Sequence, residues 1–271
     1  MCYDVQVGHE RLIKDGIHSG APSEQINKLI DDYNEKFNPA FPLPNVYHHV
    51  SAFTHPEIGV IHKQGGELVI EPMTWGLIPF WVKDRALANK LWNQTPNARA
   101  ETMFEKPSYR AAARKRRGII VINSFYEHHH FSGKAYPFNV RYKKGESMVV
   151  AVLHEEWKDK ETEEVVKSFS IVTTGGNELM SVIHNNPKLK EPRMPVFLEG
   201  EAINEWLGTP ESSDSHLTLL PLCKPLLSEE LTAYPVKPLR GKNALGNVPE
   251  AAEQYEYPEL VLDTELVDIL S

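Results

Sequence analysis

Gly118-Ile119-Ile120-Val121-Ile122-Asn123-Ser124-Phe125-Tyr126 is the stretch on which the fold turns. Four β-branched residues in a row and then two aromatics suit a pleated sheet. A branched Cβ loses χ1 freedom in a helix but packs well between strands. The composition predicts one strand over 118–126. Working outward, weaker signals of the same kind predict strands at 46–53, 57–62 and 67–72, then at 136–142, 147–153, 168–174 and 194–198. Gly65-Gly66 marks a turn between the strands at 57–62 and 67–72. Helical signals are short, at 107–116 with Pro107 in the first turn, 176–183, 200–207 and 226–232. A longer amphipathic helix is expected at 23–37, capped by Ser23, with Ile26, Leu29, Ile30, Tyr33 and Phe37 at helical spacing. The proline-rich stretch from Pro39 to Pro44 ends it as a stiff connector. Strands do not alternate regularly with long helices, which argues against a doubly wound parallel sheet. The expected fold is α+β: a single domain with a mostly antiparallel, barrel-like β core and peripheral short helices.

The 271 residues suffice for a real core, and the 41% hydrophobic and 24% charged fractions are those of a globular protein. No apolar run approaches the ~20 residues needed to cross a bilayer. The opening MCYDVQVGHE lacks a basic-then-apolar secretion pattern, so a cytoplasmic protein is expected. Cys2 and Cys223 are its two cysteines, and without a C-x-x-C pair they suggest neither a disulfide framework nor structural zinc. A net charge of −8 speaks against a protein that coats long duplex DNA, whose affinity would rest on many phosphate contacts. Charge is nevertheless segregated. Arg110, Arg114, Lys115, Arg116 and Arg117 form a basic cluster, whereas the chain turns polar and acidic from Asn243 onward. Residues 241–271 read as an acidic C-terminal extension, either a tail or a docking segment.

Chemistry concentrates in four places. Cys2 follows the initiator methionine, and a small second residue favours removal of Met1, leaving Cys2 as the mature N-terminus. An N-terminal cysteine has an amine with a reference pKa of roughly 7.7–8.0 beside a thiol of about 8.5. The amine condenses with an aldehyde to an imine, and the thiolate closes on the imine carbon to give a thiazolidine. The second place is Asn97-Ala98-Arg99-Ala100-Glu101-Thr102. The third is Phe125-Tyr126-Glu127, with a carboxylate ending an apolar strand, and the fourth is Ile183-His184 followed by Pro192-Arg193-Met194-Pro195. Each has a plain structural reading too: Glu127 as a solvated strand end, His184 as a helix C-cap, Arg99 and Glu101 as a surface ion pair.

Together these patches resemble the SOS-response-associated peptidase (SRAP) family, the abasic-site processing proteins. The resemblance also draws on Trp75-Gly76-Leu77-Ile78-Pro79 with Trp81, on Arg116-Arg117, and on Thr173-Thr174, all in the family's order from residue 1 to about 200. It implies a single α+β domain with a barrel-like core, a catalytic domain over 1–240 here. It implies Cys2 as the nucleophile that forms a thiazolidine crosslink with an abasic site in single-stranded DNA, within DNA damage repair (the SOS response). Asn97 would orient the N-terminal cysteine, Glu127 would take or relay amine protons, and His184 would act as general acid/base on the sugar hydroxyl. Arg99 and Arg193 would hold flanking phosphates. Trp75 and Trp81 are candidates for base stacking, with core packing as the alternative. No metal or cofactor is expected, the partner is single-stranded DNA with an abasic site, and a monomer without membrane contact is anticipated.

Four positions depart from the family pattern. Tyr3-Asp4 replaces the usual Gly-Arg, His128 the usual Trp, Gly118 the usual Cys, and Asn185 to Pro192 separate His184 from Arg193. In His128-His129-His130, strand alternation sends His128 and His130 to one face and His129 to the other, without a further ligand at zinc spacing. Two other functions stay open at this level. One, beside the crosslinker and any lyase activity it carries, is an N-terminal-nucleophile peptidase or amidohydrolase that could remove its own Met1. The other is a noncovalent single-strand binding module using Trp75, Arg99 and the 110–117 cluster.

Overall fold

A computed structural model describes residues 2–7, 47–145, 147–208 and 215–270, and in it the run at 118–126 is two strands rather than one. In chain order the strands are β1 (Asp4–Val7), β2 (Tyr47–Ser51), β3 (Glu57–Gln64), β4 (Glu67–Trp75), β5 (Asn97–Arg99) and β6 (Arg117–Ile122). They continue as β7 (Ser124–Phe131), β8 (Lys134–Tyr142), β9 (Met148–Lys158), β10 (Val165–Gly175), β11 (Arg193–Pro195) and β12 (Leu231–Pro235). The predicted helix at 23–37 and the connector at Pro39 to Pro44 lie outside the described residues.

Asn123 explains the split. β6 ends where Ile122 faces Met148 of β9, and the Asn123 N–H then turns to the Gln6 carbonyl at 2.9 Å. The chain thereby passes from one sheet to another within a single residue. β3, β4, β10, β9 and β6 pair in a closed ring of five strands. The second sheet has the order β12-β8-β7-β1-β2. Among the described pairings only β10 with β4 and β10 with β5 run parallel, so the core is mostly antiparallel. β10 is longer than its barrel partners need. Past the ring it receives β5 on one side at Ile171–Thr173 and β11 on the other at Thr173–Gly175.

Apolar side chains from both sheets fill one continuous core, including Val5, Val60, Ile120, Phe125, Val150, Val152 and Ile171. Phe125 of the second sheet meets Phe197 with ring centroids 5.8 Å apart. Gly65 and Gly66 both take positive φ, +62° and +92°, as a tight hairpin joining β3 to β4 requires. Short helices lie at Arg85–Trp92, Arg110–Lys115, Glu178–Ile183, Glu201–Leu207, Ser215–Leu219 and Thr264–Leu270. Among the described residues no helix is long and apolar enough to cross a membrane.

Two expectations need correction. The predicted helix at 226–232 is a single 3-10 turn, Ser228–Glu230, that leads into β12. A five-residue ladder against β8 outweighs one isolated helical turn, whose nucleation is unfavourable. The strand predicted at 194–198 shrinks to β11 plus one bridge between Val150 and Phe197. The acidic segment at the end of the chain is folded onto the domain. Leu260 and Leu266 enter the main core, the Tyr255 N–H donates to the Pro235 carbonyl, and Asp263 Oδ2 lies 2.8 Å from His129 Nε2.

Candidate active site

The site begins where β1 lies beside β7. Asp4 pairs with Tyr126, so the chain just before β1 runs along the continuation of β7 at Glu127 and His128. Cys2 is fully buried and belongs to the main core. Asn97 starts β5 and is held there by the β10 ladder and by Tyr109, whose hydroxyl donates to the Asn97 carbonyl at 2.9 Å. The Asn97 Nδ2 donates to the Cys2 carbonyl at 2.8 Å, while its buried Oδ1 has no hydrogen-bond partner.

His184 caps the helix Glu178–Ile183, which starts at Asn177, whose Oδ1 accepts from the Met180 N–H. The imidazole Nδ1 is 3.1 Å from the Arg193 N–H and 3.0 Å from the Arg193 carbonyl. The inserted residues Asn185 to Pro192 therefore loop out, and the chain returns to His184 on the far side. The other ring nitrogen, Nε2, faces Glu127 Oε2 at 3.6 Å. Four segments distant in sequence thus bring Cys2, Asn97, Glu127 and His184 together.

Burial governs the charges here. It pushes the Glu127 carboxyl up to about 8 and the His184 imidazole down to about 4. It also raises the Cys2 thiol, with the nearby Glu127 acting in the same direction. Near neutral pH Glu127 is mostly protonated and His184 neutral, so their 3.6 Å contact joins two uncharged groups rather than an ion pair. Asp4 differs. Burial would raise it, but the His49 hydrogen bond and Arg240 prevail and hold its carboxyl below the usual range. Asp4 Oδ1 is 3.0 Å from His49 Nε2, and Oδ2 accepts from an Arg240 NH2 at 2.6 Å. This grouping of β1, β2 and the C-terminal segment had no sequence signal, because its members are 45 and 236 residues apart.

Other candidates fall elsewhere. Arg193 is 1% exposed, and its guanidinium forks onto Glu101 at 2.7 and 2.9 Å while also donating to the Thr173 carbonyl. Both of its terminal NH2 groups are engaged by the protein, while the buried Nε has no hydrogen-bond partner, so the phosphate grip expected at Arg193 gives way to a buried structural tie. Arg99 reaches the surface, where it pairs with Glu191 at 3.0 Å. Trp75 is buried, with its indole N–H on the Pro96 carbonyl and its ring stacked near Phe169, so the base-stacking reading is corrected to core packing. Trp81 is 40% exposed, its N–H donating to the Pro107 carbonyl. Within the basic cluster, Arg117 is buried among four backbone carbonyls and the partly exposed Arg116 pairs with Glu155, so one of its five cations is internal and a second is engaged by a carboxylate. His129 points inward to Asp263 and the Val182 carbonyl, and no group of three metal-ligating side chains occurs among the described residues.

The arrangement defines a class of site: a cysteine at the head of the chain, held by an amide and attended by a buried carboxyl and a neutral imidazole. The profile of the SOS response associated peptidase (SRAP) family matches residues 17–242, and the chain belongs to that family. It is 34% identical over 228 residues to the abasic site processing protein YoqW of Bacillus subtilis (strain 168), covering 83% of this chain and 95% of that one. It is 30% identical over 210 residues to the abasic site processing protein HMCES of Rattus norvegicus, covering 67% of this chain and 56% of the relative. The crystal structure of a protein from Bacteroides thetaiotaomicron superposes with a TM-score of 0.74 at 27% identity, over 94% of this chain and all of the other.

Proposed function

We propose that this chain processes abasic sites in single-stranded DNA by forming a covalent thiazolidine through Cys2. The observation that carries the reading is the convergence of Cys2, Asn97, Glu127 and His184. Removal of Met1 frees the Cys2 amine next to the thiol. The closed abasic sugar is a hemiacetal. Neutral His184 takes the proton of its hydroxyl at Nε2 and returns it to the ring oxygen as that C–O bond breaks, giving the open aldehyde. The amine adds to the aldehyde carbon, and Glu127, protonated near neutral pH, supplies the proton with which hydroxide leaves as water. The thiol then adds across the imine, sulfur to carbon and its proton to nitrogen. The net change is aldehyde plus cysteine to thiazolidine plus one water. The unpartnered Asn97 Oδ1 is a ready acceptor for the amine while Nδ2 holds the Cys2 carbonyl. One chain supplies all four groups, in keeping with a monomer.

Intact-protein mass spectrometry after incubation with an abasic oligonucleotide tests this. The expected product is protein lacking Met1 plus oligonucleotide minus one water, resistant to heat and SDS. Unmodified protein throughout, or an adduct of equal yield with Cys2→Ala, would overturn it. Turnover of an amide substrate without any adduct would instead select the N-terminal-nucleophile hydrolase.

A further inference from the structure

An exposed aromatic and cationic surface adjoins Cys2 and has no part in the chemistry above. Phe53 sits in the 3-10 turn Ala52–Thr54 and leaves 45% of its surface in solvent. The turn is fixed to the residue next to Cys2, since the Ala52 N–H donates to the Tyr3 carbonyl at 2.7 Å. The Tyr3 ring lies 4.9 Å from the Phe53 ring, and the Arg240 guanidinium 5.7 Å from it. Arg240 is itself held in place. One of its NH2 protons goes to Asp4, neighbouring Leu239 is buried beside Tyr126, and Asn247 accepts from the His48 N–H at 2.7 Å. Half of the Arg240 side chain remains exposed, 51%, so further N–H donors of its planar fork face outward. Nearly half of a large apolar ring is thus left in water, beside an arginine tied to Asp4.

We propose that Phe53, Tyr3 and Arg240 form a nucleotide platform: a base flanking the abasic residue packs on the Phe53–Tyr3 surface and its phosphate takes the outward donors of Arg240. The proposal rests on the abasic-DNA reading and adds to it the requirement for an intact neighbouring base. Stacking on an aromatic face accepts any base, and each arginine–phosphate contact releases counterions.

The test measures affinity by fluorescence anisotropy, using a single-stranded oligonucleotide with a tetrahydrofuran residue. That residue has the abasic backbone but no aldehyde, so binding is read without the covalent step. Phe53→Ala should weaken binding about tenfold. The loss should vanish on a second oligonucleotide whose residues on both sides of the tetrahydrofuran also lack bases. Arg240→Gln should reduce the slope of log affinity against log salt by about 0.7, and Arg240→Lys should restore it. Wild-type affinity and slope in both variants would overturn the platform. So would a Phe53→Ala loss of the same size on the base-stripped oligonucleotide, which would mark a purely structural role. Failure of the underlying reading has a separate signature: no mass adduct between the wild-type chain and authentic abasic DNA.

Discussion

Glu127 binds its proton more tightly in the folded chain, with a pKa of about 8, than in the unfolded chain, where the ordinary value is 4.5. Its contribution to stability is therefore complete below about pH 4.5 and is lost as pH rises through about 8. His184, lowered from 6.5 to about 4, has the opposite sign: stability is lost as pH falls from 6.5 through 4. The two oppose each other between pH 4.5 and 6.5, and the window from 6.5 to 8 belongs to Glu127 alone. Melting curves of the wild type and Glu127→Gln should diverge there, the wild type losing about 3–5 °C per pH unit relative to the variant. Parallel curves would mean that the carboxyl titrates normally. Cys2→Ala should abolish the adduct at a stability cost of about 1 kcal/mol, because a buried sulfur is replaced without a polar orphan. Arg193→Ala should lower the denaturation midpoint by leaving Glu101 without its fork, and Arg99→Ala should instead flatten the salt dependence of single-strand binding. An unchanged midpoint for Arg193→Ala would return that arginine to the DNA path.

At the level of elements, Gly76 joins β4 to the following loop with φ at +113°, and a Cβ there would lie 2.4 Å from Trp92 Cδ1. Gly76→Ala should destabilise by at least about 2 kcal/mol, read from the urea midpoint, since both the backbone and the indole oppose it. Strands that announced themselves in sequence, such as β3, β4, β9 and β10, are long and rich in β-branched residues. Those that did not are short or polar. β1 offers four residues, and β5 consists of Asn97, Ala98 and Arg99, strand-like only because β10 runs past it. The helix Arg85–Trp92 carried a cap signal at Asp84, whose Oδ1 accepts from the Leu87 N–H, yet its apolar residues are sparse. Asn123 was a readable break in the 118–126 run, as Asn is disfavoured in strands, but the apolar residues around it masked it. For the site, types and order were legible through the family resemblance. Exposure was not: composition alone does not separate buried Trp75 from half-open Trp81, nor a solvated Arg99 from an internal Arg193.

Across the molecule, the two sheets and the C-terminal segment share one core, so the acidic end of the chain is a stability element. Deleting 249–271 removes Leu260 and Leu266 from that core and the Asp263 partner from His129. The expected loss is on the order of 5 kcal/mol in guanidinium unfolding. An unchanged midpoint would make the segment an appendage. Chain order also sets a clock for the head of the protein. Cys2 is enclosed only when β1 has met β7, which requires residues up to Tyr126 to have been made. At about 5–20 residues per second, the leading residues spend roughly 6–25 s of synthesis without the strand that will cover them. A terminus destined for the interior is thus open to an aminopeptidase during translation. On the proposed function, trimming of Met1 is then a race against strand pairing, so slowing the ribosome should raise the processed fraction.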